Sequence, residues 1–366
     1  MKPQGRFCIK VPGKLMLAGE FAVLEPHQPL VVTAVNRFIY VTCETSEEGS
    51  LTLESFQLDQ LNWSYANKRV TVLSDDKRIR FVQEAMTITL NYLHEQNIKT
   101  TPFSLAVRSE LDDRPGVKYG LGSSAAVVTG VVTAILTKFL PGEPAKDVIF
   151  KLAAITHFSI QGNGSCADIA ASTYGGLVNY YAFDGNWLYH EIIQLDSVQS
   201  LVNKEWPCLR IETIEVPKTL LLCVGWTGSP ASTSHLVKNV KKLQTENETQ
   251  YQNFLKESKI AVGLFAKGLK TEDMSLVFQG IRKNRAALVT LGKHANTAIE
   301  TPLLEELGDR AEQLDGAGKS SGAGGGDCGI AFVSTENEAD RLKELWQEAG
   351  IFPLEMNIYP LGAHVI

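Results

Sequence analysis

The chain has 366 residues, 44% of them hydrophobic and 21% charged, so it is long enough to bury one large core or two smaller ones. Its net charge of −6 at pH 7 and its pI of about 5.7 exclude a general electrostatic attraction to nucleic acid or to anionic lipid. Any anionic ligand must therefore be held by local groups.

The cysteines are scattered along the chain and form no CxxC pair that would indicate zinc or a redox centre. This pattern is typical of a reduced, cytoplasmic protein. The most apolar stretch, residues 125–136, is shorter than the ~20 residues that span a bilayer, and residues 1–11 lack the apolar core of a signal peptide. We therefore expect no membrane partner, no nucleic-acid partner, and a monomer or a homodimer.

The first part of the chain predicts strands followed by a helix. Residues 6–57 are rich in β-branched and aromatic side chains with turn signals between them, which indicates strands. Apolar residues at helical spacing predict a helix over residues 78–96, and a further strand follows over residues 102–111. The turn-rich segment 112–116 then leads into a glycine loop.

This loop, residues 120–125, reads Gly-Leu-Gly-Ser-Ser-Ala and opens the apolar stretch, which we interpret as a buried helix. A helix start presents free backbone N–H groups and a partial positive charge, and glycines let the backbone approach a phosphate closely. Ser123 and Ser124 add hydroxyls that suit phosphate oxygens or Mg²⁺. Alternatively, the serines only cap the helix.

The middle of the chain predicts a helix over residues 145–160, a Gly-Asn-Gly-Ser turn, and strands over residues 177–183 and 187–193. Composition changes near residues 195–207, which indicates a loose boundary. We expect an ATP-binding N-terminal lobe of residues 1–200 and a C-terminal lobe of residues 201–366 that carries the substrate side and closes the cleft.

The second half predicts an α+β lobe with an antiparallel sheet, because strands and helices do not alternate regularly. A strand over residues 219–224 precedes a run of helices. A glycine-rich loop, a short strand, another helix and a final strand complete the chain. The predicted helices cover residues 232–292, 302–315 and 336–349, and the predicted strands cover residues 330–334 and 354–359.

Residues 316–329 are too rich in glycine to predict a helix or a strand, and we expect this loop to wrap a ligand. Gly318-Lys319-Ser320 ends like a P-loop, but Gln313 stands where the first glycine of that motif belongs. The later glycines match GxGxxG by letter, yet they precede a strand instead of following one. Both motifs are therefore rejected.

Residues 12–24 place Lys14 on a tight turn among apolar strand residues, with Glu20 as a possible partner. Taken alone, a lysine there is usually a solvated edge charge, and Glu20 an ordinary surface residue.

Together, three segments resemble the GHMP kinase family. The first motif of that family is similar to Pro12-Gly13-Lys14 with Gly19-Glu20, the second to Pro115 through Ala125, and the third to residues 319–328. The resemblance implies an α+β GHMP kinase fold. An N-terminal lobe like ribosomal protein S5 domain 2 would pack on a ferredoxin-like C-terminal lobe, with the active site in the cleft between them.

Further segments resemble the bacterial branch of the family that acts on 5-phosphomevalonate: residues 14–24, 161–172, 225–233 and 281–285. This resemblance implies transfer of the ATP γ-phosphoryl group to (R)-5-phosphomevalonate, which gives (R)-5-diphosphomevalonate and ADP in isoprenoid biosynthesis. The alternatives are another GHMP enzyme, such as mevalonate kinase or diphosphomevalonate decarboxylase, and a non-catalytic ligand sensor with the same fold.

The resemblance also implies roles for residues. It assigns Lys14 to the transferred phosphoryl group and Asp168 to the acceptor side, as a base or as the residue that orients Lys14. Ser124 is the expected Mg²⁺ ligand. In mevalonate kinase a glutamate also binds the metal, but His157 stands at the corresponding position here. The residues expected to hold ATP are Gly120, Leu121, Gly122, Ser123, Ser124 and Ala125.

Substrate contacts are expected from small residues, hydroxyls and cations. We expect the adenine pocket between the first strands and the helix that begins near Arg78. The expected substrate-binding residues are Lys14, Ser165, Ser229, Ser232, Arg282, Lys319, Gly322, Ala323 and Gly324.

Overall fold

The computed structural model describes residues 5–114, 117–229 and 233–366, and within these ranges it does not describe the side chains of residues 112–114, 117, 118, 233 and 234. Pro115, which begins the second motif, and Ser232, a predicted substrate contact, lie outside the described residues. The described strands are β1 (Arg6–Ala18), β2 (Pro29–Thr45), β3 (Ser50–Leu53), β4 (Leu58–Ala66), β5 (Arg69–Val72), β6 (Phe103–Ser109), β7 (Asp112–Arg114), β8 (Val117–Lys118), β9 (Leu177–Tyr181), β10 (Arg210–Ile214), β11 (Leu221–Trp226), β12 (Ala317–Ser320), β13 (Cys328–Val333), β14 (Phe352–Leu354) and β15 (His364–Val365).

Long helices pack on these strands. The described α-helices are α1 (Arg80–Glu95), α2 (Ser123–Phe139), α3 (Lys146–Gln161), α4 (Ala167–Tyr174), α5 (Gly185–Ile193), α6 (Val198–Asn203), α7 (Thr233–Glu246), α8 (Glu248–Thr271), α9 (Met274–His294), α10 (Pro302–Glu312) and α11 (Glu336–Glu348). None of the helices in the described ranges combines the length and the apolar character that a membrane crossing requires.

The larger sheet has nine strands, seven of them in the order β10-β9-β2-β6-β3-β4-β5, and β1 pairs with both β2 and β15. The antiparallel pair of β1 and β2 is interrupted by register shifts at Pro12/Gly13 and at Met16/Ala18. An irregularity of this kind bends a strand and re-aims its side chains. The first shift lies directly before Lys14, so it helps to set where that side chain points.

Helices α1 to α4 supply the N-terminal core. In α2 almost every residue from Ala125 to Thr137 is buried, which confirms the prediction of a buried helix. A helix that is apolar on all sides must be surrounded by other elements. Its first residues, Ser123 and Ser124, are only half-buried, so the start of the helix stays partly accessible.

The second sheet has four antiparallel strands in the order β12-β13-β11-β14. The apolar core continues into this half, where Phe265 of α8 packs against Phe332 of β13 with ring centroids 5.6 Å apart. The mixture of antiparallel sheets and packed helices confirms the predicted α+β class.

Two strands cross the predicted lobe boundary at residue 200. Strand β10 pairs with β9, and β15 at the end of the chain pairs with β1, so both complete the larger sheet. The division into residues 1–200 and 201–366 stays a prediction.

Three local predictions were wrong. Residues 187–193 form helix α5 instead of a strand, because the Asp184 carboxylate caps its first amides. Residues 317–320 form β12 despite their glycines, since β13 supplies the pairing partner. The strand predicted over residues 354–359 is instead β14, which ends at Leu354, and of residues 355–359 only Ile358 makes an isolated bridge, to Val35.

Candidate active site

Lys14 is held against the glycine loop at two points. Its backbone N–H donates to the Leu121 carbonyl oxygen at 3.0 Å, and its Nζ donates to the Gly120 carbonyl oxygen at 2.8 Å. The side chain is 8% exposed. The lysine is therefore a buried cation at the mouth of the loop, and not a solvated edge charge.

Asp168 approaches the same point from α4. It lies in the first turn of that helix and is half-buried. A Cβ atom built on Gly122 would lie 3.1 Å from Lys14 Cγ and 3.3 Å from Asp168 Cβ. The structure thus brings together the predicted catalytic pair and the predicted ATP loop, and only glycine fits between them.

Two opposing effects act on the charge of Lys14. Burial lowers the pKa of Lys14 below its ordinary value of 10.5, whereas the carboxylates of Asp168 and Asp327 act in the opposite direction. Its Nζ makes no direct ion pair with a carboxylate in the part of the chain that the structure describes. The ammonium group is therefore supported by negative charge at a distance and remains available to a bound anion.

The start of α2 has the features of a phosphate site. Gly122 occupies the N-cap with a φ of 77°, and no side chain caps the helix. The first amides of a helix have no partners within the helix. Because the serines do not cap the helix, these amides and the hydroxyls of Ser123 and Ser124 can serve a ligand.

Ser124 contacts His157 of α3. The Ser124 Oγ and His157 Nε2 atoms are 3.4 Å apart, and the Phe81 ring lies 5.3 Å from the imidazole. Histidine nitrogen is a poor ligand for Mg²⁺, which prefers oxygen and is often bound through one or two protein groups plus substrate phosphates. The Ser124 hydroxyl and the Asp168 carboxylate are oxygen donors of this kind. Among the described residues no group of three or more His, Cys, Asp or Glu is placed to hold a metal ion.

The third glycine segment lies beside the same site. The Ser321 hydroxyl donates to the Met16 carbonyl oxygen at 2.9 Å and accepts from the Met16 N–H at 3.1 Å. The Gly325 N–H donates to the Ile299 carbonyl oxygen at 2.8 Å. Gly324 is buried against Ile299, while Gly322 and Ala323 are half-buried. The segment is therefore anchored on β1 and on the connection between α9 and α10.

Asp327 was named within the third motif but given no role. Its backbone N–H donates to the Ser229 carbonyl oxygen at 2.8 Å, and its carbonyl oxygen accepts from the Thr227 N–H at 3.0 Å. Its Oδ2 lies 2.8 Å from where a Cβ on Gly120 would stand. Asp327 therefore joins the exposed Ser229 segment to the ATP loop. Asp327 has a φ of 54°, a left-handed backbone conformation that is uncommon for residues other than glycine. The sequence alone does not reveal this conformation.

The remaining predicted site residues have other contacts. The Lys319 Nζ donates to Glu20 Oε1 at 2.6 Å, and both side chains are inaccessible to solvent. The Arg282 Nη2 donates to the carbonyl oxygens of Asp315 and Gly316 at 3.1 and 2.6 Å. Ser165 is buried two residues before α4. Contacts of these residues with substrate stay predictions.

A cavity of about 360 Å³ is lined by residues between Arg69 and Ile160. Strand β5, the start of α1 and the end of α3 enclose it, and Ser159 on its wall is two residues after His157. Charged groups of both signs line it together with Ile79 and Ile160. This is the region in which the sequence predicted the adenine pocket.

The fold and the site define a phosphotransferase that acts on a small molecule. The model for the GHMP kinases N terminal domain matches residues 80–176, and that for the GHMP kinases C terminal matches residues 265–351. This chain belongs to the GHMP kinase family, and the prediction of the GHMP kinase fold is confirmed.

Several relatives match over nearly the whole chain. The phosphomevalonate kinase of Streptomyces sp. (strain CL190) is 33% identical, over 94% of this chain and 95% of the relative. A Lin0012 protein from Listeria innocua has a TM-score of 0.93 and 39% identity, with 99% of both chains covered. Phosphomevalonate kinase from Streptococcus pneumoniae, solved with phosphomevalonate and AMPPNP, has a TM-score of 0.83 and 28% identity, with 96% and 99% covered.

Proposed function

We propose that this chain is a phosphomevalonate kinase. It transfers the γ-phosphoryl group of ATP to the phosphate of (R)-5-phosphomevalonate and releases ADP and (R)-5-diphosphomevalonate. The observation that carries the proposal is the meeting of Lys14, Gly122 and Asp168 at the uncapped start of α2. The full-length likeness to phosphomevalonate kinases selects the acceptor.

Phosphoryl transfer depends mainly on positioning and on neutralising negative charge. The amides of residues 120–125 would hold the triphosphate, and Lys14 supplies a positive charge that no carboxylate among the described residues pairs directly. In a partly dehydrated cleft such a charge acts far more strongly than in water.

The acceptor is itself an anion. A phosphate monoester carries between one and two negative charges near neutral pH, since its second pKa is about 6. Its attacking oxygen is therefore largely ionised and forms the new bond to the γ-phosphorus as the bond to the β–γ bridging oxygen breaks. Proton removal contributes little, which favours Asp168 as the residue that orients Lys14 over Asp168 as a base.

Mg²⁺ supplies further charge neutralisation when it is bound to the nucleotide phosphates, and Ser124 is the residue proposed to hold it. The adenine base would occupy the cavity between β5, α1 and α3, where Ile79 and Ile160 offer apolar contacts beside polar groups.

An acceptor panel tests this proposal. ADP release is measured with ATP and Mg²⁺ in the presence of phosphomevalonate, mevalonate, homoserine or galactose, and CO₂ release is measured with diphosphomevalonate. We expect turnover with phosphomevalonate alone. Turnover with an unphosphorylated alcohol only, release of CO₂, or ATP binding without any product would each contradict the proposal in favour of one of the alternatives.

A further inference from the structure

The fully buried ion pair between Lys319 and Glu20 is not used by the chemistry proposed above. Lys319 lies in β12, and Glu20 lies just after β1, 299 residues earlier in the chain. The two side chains are 0% and 1% exposed, and the Lys319 ammonium also donates to the Ser320 carbonyl oxygen. Lys319 therefore directs its charge at Glu20 and not at an open cleft.

Stability is a poor explanation for this pair. Removing two charges from water costs about as much as their attraction returns, so apolar residues of similar size often serve equally well. Burial lowers the pKa of Lys319 even though Glu20 acts to raise it. In the described part of the chain, the second carboxylate oxygen of Glu20 has no hydrogen-bond partner. What the pair provides is a fixed geometry, because charged hydrogen bonds constrain the positions of their partners more closely than apolar contacts do.

The pair stands where it can set the position of the glycine loop, residues 321–327. The Glu20 oxygen that binds Lys319 also lies 3.4 Å from the Gly322 amide nitrogen, which donates to it. One residue earlier, the Ser321 hydroxyl is bound to both backbone groups of Met16. The end of β1 thus holds the first residues of the loop by several directed bonds.

The other side of the loop is fixed by a second charged group. Arg285 Nε donates to Glu300 Oε1 at 2.7 Å, and the preceding residue, Ile299, accepts the Gly325 N–H. Glu300 also acts to raise the pKa of Lys319, so the two groups are near enough to interact. A loop held at both ends, by Met16 and Glu20 on one side and by Ile299 on the other, has a defined position.

We infer that Lys319 and Glu20 form a positioning pair that fixes the glycine loop of residues 321–327 in the cleft, and that neither residue touches substrate. Both act through the amides of Gly322 and its neighbours. A displacement of about 1 Å in a catalytic site can cost about 100-fold in rate, so the pair controls turnover without any contact to the reacting atoms. The kinetic part of this inference rests on the proposed function.

The test compares Glu20→Gln, Lys319→Met and the double variant Glu20→Met/Lys319→Met. Each single change leaves one buried group without its charged partner, so we expect a lower Tm. The double variant removes both charges, and we expect its Tm to recover toward the wild-type value. Its kcat should nevertheless fall about 10- to 100-fold, with little change in KM for ATP.

Hydrogen exchange gives a readout that needs no substrate. The amides of residues 321–327 should exchange faster in the double variant than in the wild-type protein. Wild-type kcat and wild-type exchange in the double variant would show that the pair only packs, and would overturn the inference. So would a raised KM with an unchanged kcat, which indicates direct substrate contact.

Two controls complete the design. Glu20→Asp keeps both charges but shortens one side chain, so kcat should fall while Tm is nearly retained. This variant can be measured even if the double variant does not fold, and full activity in it contradicts the inference.

Lys151→Met removes another buried lysine, bound to the Val202 and Lys204 carbonyl oxygens, and should lower Tm without changing kcat. Failure of the wild-type protein to use phosphomevalonate would count against the proposed function, not against the exchange result.

Discussion

The two buried lysines of the glycine motifs have opposite surroundings. The Lys319 ammonium group forms a buried ion pair with the Glu20 carboxylate, 2.6 Å away. Among the described residues, the Lys14 Nζ has one hydrogen-bond partner, the Gly120 carbonyl oxygen at 2.8 Å. The Asp168 and Asp327 carboxylates act on its charge from a greater distance. One lysine is thus satisfied before any ligand binds, and the other is not.

This difference separates positioning from reaction chemistry. A buried cation that already has its counter-ion adds little attraction for a second anion. A buried cation without a direct partner carries an energetic cost that a bound phosphate relieves. The surroundings of Lys14 therefore favour an anionic ligand, and those of Lys319 favour a fixed loop.

The largest effect is expected from Lys14→Met. Loss of one preorganised charge at a developing anion typically costs about 100- to 1000-fold in kcat, and we expect a loss of this size here. Tm should change little, because no carboxylate among the described residues loses a direct partner.

The reverse is expected of Lys319→Met, which leaves Glu20 without its charged partner and should cost about 3–5 kcal/mol of stability. Steady-state kinetics and thermal melts of the two variants check this difference. A near-normal kcat in Lys14→Met would contradict the direct role of Lys14 in the reaction.

An intermediate effect is expected from Asp168→Asn on the pH profile. Burial lowers the pKa of Lys14, and among the opposing charges Asp168 acts most strongly to raise it. Without that carboxylate the pKa falls further. Lys14 then loses its proton at a lower pH, so the alkaline limb of kcat/KM should move to lower pH in whatever activity remains.

The pH profile has a simple control. Glu143 is exposed on the loop before α3, and Glu143→Gln should leave the alkaline limb where it is in the wild-type enzyme. An unshifted limb in Asp168→Asn would mean that Asp168 does not support the charge of Lys14, and the contrast between the two lysines would lose its electrostatic basis.

The smallest effect is expected from Gly120→Ala, compared with Gly162→Ala. Both glycines have positive φ, 75° and 72°, so each alanine pays a similar backbone cost, about 1 kcal/mol. Only at position 120 does the new Cβ meet a neighbour, Asp327 Oδ2 at 2.8 Å, whereas nothing lies within 4 Å at position 162. We expect a further fall in Tm and a raised KM for ATP in Gly120→Ala alone. Equal behaviour of the two variants would show that the contact between Gly120 and Asp327 is unimportant.

Much of the fold follows from local patterns. Helices α1, α2, α3, α10 and α11 lie within a few residues of their predicted ranges, because helical periodicity and capping residues act over short stretches of sequence. The wrong prediction over residues 187–193 also came from a local pattern. Aromatic and β-branched residues favour a strand, but the Asp184 cap and tertiary packing override that preference. A cap signal was present at Asp184 and could have corrected the prediction.

The candidate site was predictable only in its parts. The order of the three glycine motifs and the chemical character of Lys14, Asp168 and Ser124 can be read from the sequence. The part played by Asp327 could not be read, since it depends on a contact with Gly120, far away in the chain. For Arg282, helical position says nothing about the carbonyl oxygens of Asp315 and Gly316 that its side chain binds.

By itself, then, the sequence determined the secondary structure of most segments, the glycine loops and the charged residues near them. Only the tertiary structure decided which of two lysines is paired, because Glu20 and Lys319 are 299 residues apart and meet only in the folded chain. Local propensity acts between neighbours in the chain, whereas burial and charge pairing depend on neighbours in space.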